Sequence, residues 1–132
     1  MGTTGWTEMS IDQTVTDYFS AVENGDFDAL DRIYDANVRI WHNFSGATQP
    51  RDVNIDTLRQ VSEEGSLNYA VLERRIVGDR VIQRHNVHFT SRAGATVTMP
   101  AAIFITVDNG RITEIDEYVD GAQASNVLTR LR

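Results

Sequence analysis

The chain has 132 residues, a formal net charge of −7 and no cysteine. This length suits one domain with a single hydrophobic core, and the acidic charge argues against a nucleic-acid-binding domain. The absence of cysteine excludes disulfide scaffolds and cysteine nucleophiles, and the absence of lysine excludes Schiff-base chemistry.

The first part of the chain predicts two helices. Residues 1–9 are interpreted as a flexible lead-in, and residues 10–132 as one domain. Ser10 and Gln13 form a capping-box signature for a first helix, which begins near Ile11 and ends at Asn24-Gly25. Asp26 is placed to cap a short second helix, whose pattern stops near Ala36-Asn37.

The middle of the chain changes from helix to strand patterns. Residues 38–44 are rich in β-branched and aromatic side chains and predict a strand. Asp52 is placed to cap a third helix that ends before Gly65. Beyond it, turns at Gly78-Asp79 and Asp108-Asn109-Gly110 separate long strands, and a short helical tail is expected after Asp120-Gly121. The four later strands are predicted over residues 67–77, 80–90, 95–107 and 111–119.

This order of elements predicts an α+β fold. Strands that follow one another along the chain pair most simply as an antiparallel meander, with the helices packed on one face. A long twisted sheet that curls around helices leaves a concave, cone-shaped cavity, where small ligands usually bind. We therefore expect the partner to be a small apolar or amphipathic molecule.

The strand over residues 80–90 carries the most unusual polar pattern. Arg84, Asn86 and His88 share one face, and His85 belongs to the other, because side chains alternate along a strand. We interpret the face with Arg84 as the inner face that lines the site. His85 then lies on the outer face, where a subunit contact is expected.

Three stretches of the chain resemble a known family. The stretches Tyr18–Phe27, Ile40–Asn43 and Gly110–Asp120 are similar to the SnoaL-like branch of the nuclear transport factor 2-like (NTF2-like) superfamily. The resemblance extends over nearly the whole chain from residue 11. It implies the cone-shaped fold, with three N-terminal helices on a strongly curved, mainly antiparallel sheet.

Two enzyme families of this superfamily imply roles for particular residues. Tyr18 resembles the tyrosine of ketosteroid isomerases that hydrogen-bonds a developing oxyanion, and His42 is the one residue near the expected base position that could act as a base. Limonene epoxide hydrolases place Arg-x-Asp on a central strand and a second Asp on the last strand. The matching residues in this chain are Arg84-His85-Asn86 and Glu117, so the amide of Asn86 replaces one of the two acids.

The resemblance implies a cofactor-free enzyme that uses general acid-base chemistry of hydrolase, isomerase or cyclase type on a mostly apolar substrate. The alternative is a non-catalytic ligand-binding or protein-interaction module, which the amide of Asn86 favours. Glu117 is expected to transfer the proton beside Arg84. The predicted catalytic residues are Glu117, Arg84, Asn86 and His88, and the predicted substrate-binding residues are Tyr18, Trp41, Asn43, Met99 and Ile103.

The sequence also bears on a metal site, a membrane span and a subunit contact. His85 and His88 are three residues apart on one strand and face opposite ways, so no metal site is expected. No stretch approaches the roughly 20 apolar residues of a membrane-spanning helix, and a cytoplasmic location is expected. A homodimer packed through the outer sheet faces is predicted, because the strands carry more apolar surface than one helix layer covers. The apolar residues used for this prediction are Val81, Val87, Phe89, Ile105 and Val107.

Overall fold

The computed structural model describes residues 7–122, in which three α-helices pack on one six-stranded sheet. The α+β class and the order of the predicted elements are confirmed. In chain order the elements are α1 Glu8–Asn24, α2 Phe27–Ile33, β1 Tyr34–His42, β2 Thr48–Gln49, α3 Arg51–Glu64, β3 Gly65–Val77, β4 Arg80–Ser91, β5 Thr96–Asp108 and β6 Arg111–Val119.

Helix boundaries differ from the predicted ones where the capping residue differs. Thr7, rather than Ser10, caps α1, because its hydroxyl oxygen accepts the Ser10 N–H at 3.2 Å. The helix therefore begins inside the predicted lead-in. Asp26 caps α2 as predicted, but α3 begins at Arg51 after Pro50, without the side-chain cap expected from Asp52.

Two further predictions concern the ends of the chain and the membrane. The flexibility predicted for residues 1–6 and the helical tail predicted beyond Gly121-Ala122 lie outside the described residues. None of the helices within residues 7–122 is both long enough and apolar enough to cross a membrane.

The sheet has the strand order β2-β1-β6-β5-β4-β3. Strand β1 is parallel to β6, and all other neighbours are antiparallel. The Asn109-Gly110 turn joins β5 to β6 as predicted, with positive φ at both residues. The parallel pair places the first strand of the chain beside the last one, so side chains far apart in sequence meet on one face.

The helices cover the inner face of this sheet, and on β4 that face is the opposite of the predicted one. Val81, Gln83, His85, Val87 and Phe89 are buried there. Three of these five side chains are apolar. Burying them stabilises the fold more than turning the polar face of the strand inward would, so the apolar residues decide which face is inside. Ile82, Arg84, Asn86 and His88 consequently lie on the outer face.

The same reversal affects the surface predicted for a homodimer. The five apolar residues on which that prediction was based, from Val81 to Val107, are all buried inside the chain. The outer face instead carries a set of partly exposed large side chains, which we call the outer aromatic cluster. It consists of Trp41, Ile82, Phe104 and Tyr118, with Arg80 stacked over the Phe104 ring at 5.4 Å.

Candidate active site

A small cavity lies between the inner face of the sheet and helices α1 and α3. Its volume is about 30 Å³, which is room for about two ordered water molecules. Five of its lining residues are apolar and six are polar. The apolar lining consists of Leu58, Leu67, Val87, Met99 and Val119, and the polar lining of Tyr18, His42, Asn54, Thr57, Tyr69 and Glu117.

Glu117 is the central charged group of the cavity, and it is 8% exposed. His42 Nε2 lies 3.1 Å from its Oε1, and His85 Nε2 lies 3.0 Å from its Oε2. Burial by itself raises the pKa of Glu117, but the hydrogen bonds from the two histidines and their electrostatic attraction outweigh it and lower the pKa to about 2. The carboxylate is therefore ionised at neutral pH, and each histidine donates to it from Nε2.

Sheet register brings these three residues together. His42 on β1 and Glu117 on β6 are direct partners in the parallel pair. His85 comes from β4, two strands from Glu117, with β5 between them. Ala101 on β5 is the direct partner of His85 and Ile103 is the direct partner of Glu117. The small side chain of Ala101 leaves space for the imidazole of His85 to reach over β5.

The two imidazoles have different surroundings. The His85 ring is fully buried and contacts the rings of Phe19 and Tyr69, at centroid distances of 5.4 and 5.3 Å. The His42 ring is partly exposed beside Phe44, and its Nδ1 has no hydrogen-bond partner within residues 7–122. His42 therefore has a ring nitrogen available to a ligand, whereas His85 is enclosed.

A second set of polar side chains adjoins Tyr18 on α1. The Tyr18 ring packs against the Tyr34 ring at a centroid distance of 5.8 Å, and Tyr34 donates to Asn54 Oδ1 at 2.7 Å. Asn54 donates in turn to Gln49 at 3.0 Å. Burial, followed by the charge of Glu117, raises the pKa of Tyr18, so the phenol stays protonated and can act as a hydrogen-bond donor.

Of the predicted site residues, Glu117, Tyr18 and Met99 line the cavity. The predicted pairing of Arg84 with Glu117 is wrong. Arg84 lies on the outer face, where it binds Glu73 at 2.9 Å with 60% of its side chain exposed. Asn86 is also on the outer face.

The remaining predicted residues lie outside the cavity. His88 is on the outer face, where its Nδ1 is 2.9 Å from the Thr98 hydroxyl. Trp41 packs against Tyr118 on the same face. Asn43 follows β1 and is held to the end of β6 by two hydrogen bonds: its Nδ2 donates to the Val119 carbonyl, and its Oδ1 accepts the Val119 N–H. Ile103 is a core residue.

His42 and His85 are the site residues that are missing from the predicted catalytic and substrate-binding sets. The signal that identifies them is the parity of the apolar residues on each strand. His42 has the same parity as the buried Val38 and Ile40, and His85 the same parity as Val81 and Val87. Because side chains two apart share a face, the apolar set fixes the direction of the polar residue between or beside them.

Comparison with known proteins agrees with this architecture. A curved sheet covered by three helices around a cavity defines the NTF2-like class of α+β cone folds. A model of the SnoaL-like domain matches residues 15–115, and the chain belongs to this family. No curated protein matches the sequence.

Solved structures share the fold at low sequence identity. A protein of Shewanella denitrificans, provisionally assigned as a SnoaL-like polyketide cyclase, is 16% identical with a TM-score of 0.80, over 93% of this chain and 98% of that one. An LEH-like epoxide hydrolase of Mycobacterium tuberculosis is 19% identical with a TM-score of 0.77, over 92% and 91% of the two chains. IdmH of Streptomyces antibioticus, provisionally a polyketide cyclase, is 17% identical with a TM-score of 0.77, over 90% and 98%.

The low pKa of Glu117 predicts a pH-dependent contribution to stability. The folded-state pKa lies below the ordinary value of 4.5, so the stabilisation is complete above pH 4.5 and is lost as the pH falls towards 2. At about 1.4 kcal/mol per pKa unit, it amounts to roughly 3 kcal/mol. Urea unfolding between pH 7 and pH 2 should show that Glu117→Gln loses this part of the pH dependence.

Glu114→Gln is the matched control, because Glu114 lies on the same strand and pairs with Arg39 at the surface. This variant should keep the pH dependence of the unaltered protein. An unchanged pH dependence in Glu117→Gln would show that the carboxylate is not held in its ionised form by the two histidines.

Proposed function

We propose that the protein is a cofactor-free enzyme that moves a proton on a small, mostly apolar molecule in the cavity. The observation that carries the proposal is the ionised Glu117 carboxylate, which is buried at an apolar cavity and bonded to two imidazoles. Burying a charge costs free energy, and such arrangements concentrate at functional sites. Purely structural support of the sheet would be achieved by apolar residues at lower cost.

His42 is the proton acceptor in this proposal. Its Nε2–H donates to Glu117, which leaves the Nδ1 lone pair free to take a proton from the substrate. The imidazolium that forms is stabilised by the adjacent carboxylate, as in other carboxylate–histidine pairs. Glu117 thus acts through His42, and this revises the role of direct proton transfer expected from the sequence.

Tyr18 supplies the electrophilic partner. When a proton leaves the carbon next to a carbonyl group, the electron pair moves onto the carbonyl oxygen and forms an enolate. The protonated Tyr18 hydroxyl turns its proton towards that oxygen and stabilises the developing charge. His42 then returns the proton to another carbon, which gives an isomerase, or to a new alkoxide after ring closure, which gives a cyclase.

The alternative proposal is a ligand-binding module in which the same residues orient a ligand. Its original basis was the amide of Asn86, which lies outside the cavity. The cavity volume of about 30 Å³ constrains both proposals, because ligand pockets usually measure about 300 Å³ or more. A substrate therefore has to open the cavity before any chemistry takes place.

The structure offers a place where that opening can occur. Leu58 on α3 and Leu67 on β3 line the cavity and also line a groove of about 220 Å³ near the end of α1. The two leucines thus form the shared wall between the cavity and the groove. We infer that a substrate enters here, with its reacting carbonyl in the cavity and the rest of its length in the groove.

We further propose that the protein is a cytoplasmic homodimer joined through its outer sheet faces. The outer aromatic cluster offers the apolar surface for this contact in place of the buried residues first considered. Tyr118 is 50% exposed and lies between Trp41 and Phe104, which makes it the centre of the proposed interface.

Replacement of His42 tests the enzyme proposal. His42→Gln keeps an N–H donor for Glu117 but removes the base, so kcat should fall by about 10²- to 10⁴-fold with little change in Tm. Turnover is measured with a panel of epoxides, enones and polyketide-like diketones. His88→Gln is the matched control, since His88 lies on the outer face, and it should keep full activity.

Two outcomes contradict the enzyme proposal. One is a His42→Gln variant as active as the unaltered protein. The other is the absence of turnover on the whole panel together with measurable binding of panel compounds, which supports the ligand-binding alternative.

Truncation of Leu58 tests the entry route. Binding of straight-chain 2-alkanones of increasing length is measured by calorimetry, and Leu58→Ala should shift the preferred length to longer ketones, because it joins the cavity to the groove. Val53→Ala, an exposed position on the same helix, is the control. If both variants have the same length preference as the unaltered protein, ligands do not pass Leu58.

The homodimer is tested by light scattering after gel filtration. The unaltered protein should have twice the mass of one chain, and Tyr118→Asp should be largely monomeric, because a charge at the centre of an apolar interface is costly to bury. Gln60→Asp on the exposed side of α3 should remain dimeric. A monomer at all concentrations of the unaltered protein contradicts the prediction.

A further inference from the structure

A row of polar side chains continues behind His85, away from the cavity. Gln83 Nε2 lies 2.9 Å from His85 Nδ1, and Arg74 Nε donates to Gln83 Oε1 at 2.7 Å. Gln83 and His85 are both fully buried. The chemistry proposed above does not involve His85 Nδ1, the Gln83 amide or the Arg74 guanidinium, so this row needs its own explanation.

The hydrogen-bond inventory of these groups fixes the direction of every bond. A guanidinium only donates, so the Gln83 atom that faces Arg74 is the oxygen. The amide nitrogen, which only donates, therefore faces His85 Nδ1. Nδ1 has to accept, and it carries no proton. The proton of the neutral imidazole is on Nε2, which is the donor that the ionised Glu117 needs.

Arg74 is itself fixed from outside the row. Its Nη1 donates to the Asp12 carboxylate at 2.9 Å and to the Thr16 hydroxyl at 2.8 Å, and both residues lie on α1. It is the direct strand partner of Gln83. Helix α1 thus sets the guanidinium, and the guanidinium sets the amide. The amide cannot turn over without placing two donors against each other.

The two histidines of Glu117 therefore differ in what they can accept. We propose that Arg74 and Gln83 are positioning residues that keep His85 neutral with its proton on Nε2, so that any proton gained by the site goes to His42. Addition of a proton to His85 would set an Nδ1–H against the Gln83 amide N–H, inside a ring cage of Phe19 and Tyr69. His42 has no such opposing donor within residues 7–122.

The consequence for the reaction depends on the proposed function, but the tautomer itself does not. When His85 stays neutral, it remains a hydrogen-bond donor that stabilises the ionised Glu117 carboxylate. The charge of Glu117 is then available to stabilise the imidazolium that forms at His42 during a catalytic cycle. The site then has one proton-accepting group rather than two, which gives the transferred proton a single destination.

Nitrogen-15 NMR of the histidine rings tests the inference directly at neutral pH. The chain has three histidines, so His42→Gln and His88→Gln assign the signals. In the unaltered protein, His85 should show an unprotonated Nδ1 and a protonated Nε2. A signal for the Nδ1–H tautomer, or for an imidazolium, at His85 overturns the inference.

Replacement of Gln83 by Glu reverses the demand on His85. A carboxylate of the same shape only accepts, so it should draw a proton onto Nδ1, and His85 should appear as an imidazolium, because Nε2 still donates to Glu117. Turnover should fall by up to about 100-fold in kcat with KM little changed, because the proton is no longer confined to His42. Gln60→Glu on the exposed side of α3 is the matched control and should change neither property.

Arg74→Met provides a second variant if Gln83→Glu does not fold. Loss of the guanidinium frees the Gln83 amide to turn its oxygen towards Nδ1, and His85 should then show an imidazolium population, because Nε2 still has to donate to Glu117. An unaltered single tautomer in a folded Arg74→Met or Gln83→Glu variant overturns the inference. If His85 is neutral with its proton on Nε2 in a protein without turnover, the inference stands and the proposed function fails. If the protein turns over a substrate while His85 carries a proton on Nδ1, the inference fails and the proposed function stands.

Discussion

The buried charge of Glu117 is the constraint on which the rest of this structure depends. An ionised carboxylate removed from water has to receive hydrogen bonds on both oxygens, or the fold loses several kcal/mol. His42 and His85 meet this requirement, and each has to present a proton at Nε2. Gln83 and Arg74 continue the row on the far side of His85, and the hydrogen-bond directions that helix α1 sets there agree with the proton that Glu117 requires on His85 Nε2.

Sheet topology makes this arrangement possible. A purely antiparallel meander would separate the first strand from the last, whereas the parallel pairing of β1 with β6 places His42 directly beside Glu117. On the other side, Ala101 leaves the space over β5 through which His85 reaches the carboxylate. The cavity beside these residues is small because the apolar side chains of both layers nearly fill it. The same packing that stabilises the domain therefore restricts what can enter.

The sequence allowed most of the fold to be predicted but only part of the site. Tyr18 and Glu117 were predicted from a family resemblance and Met99 as a wall residue of the cavity, and all three line it. Arg84 was assigned to the site in place of His85, although they are neighbours on one strand. That error reverses every side chain of the strand at once, because strand residues alternate between the two faces. The burial of Val81, Val87 and Phe89 decides the direction, and giving apolar residues priority over polar ones would have predicted it.

The sequence by itself determined the order of helices and strands, the Asn109-Gly110 turn and the family, because these depend on local periodicity, caps and turn chemistry. Tertiary structure alone decided which side chains meet. The contact of Glu117 with His42 joins residues 75 positions apart, and its contact with His85 crosses an intervening strand. Such contacts follow from strand register, which is fixed by the packing of apolar residues throughout the sheet and is not contained in any single stretch of sequence.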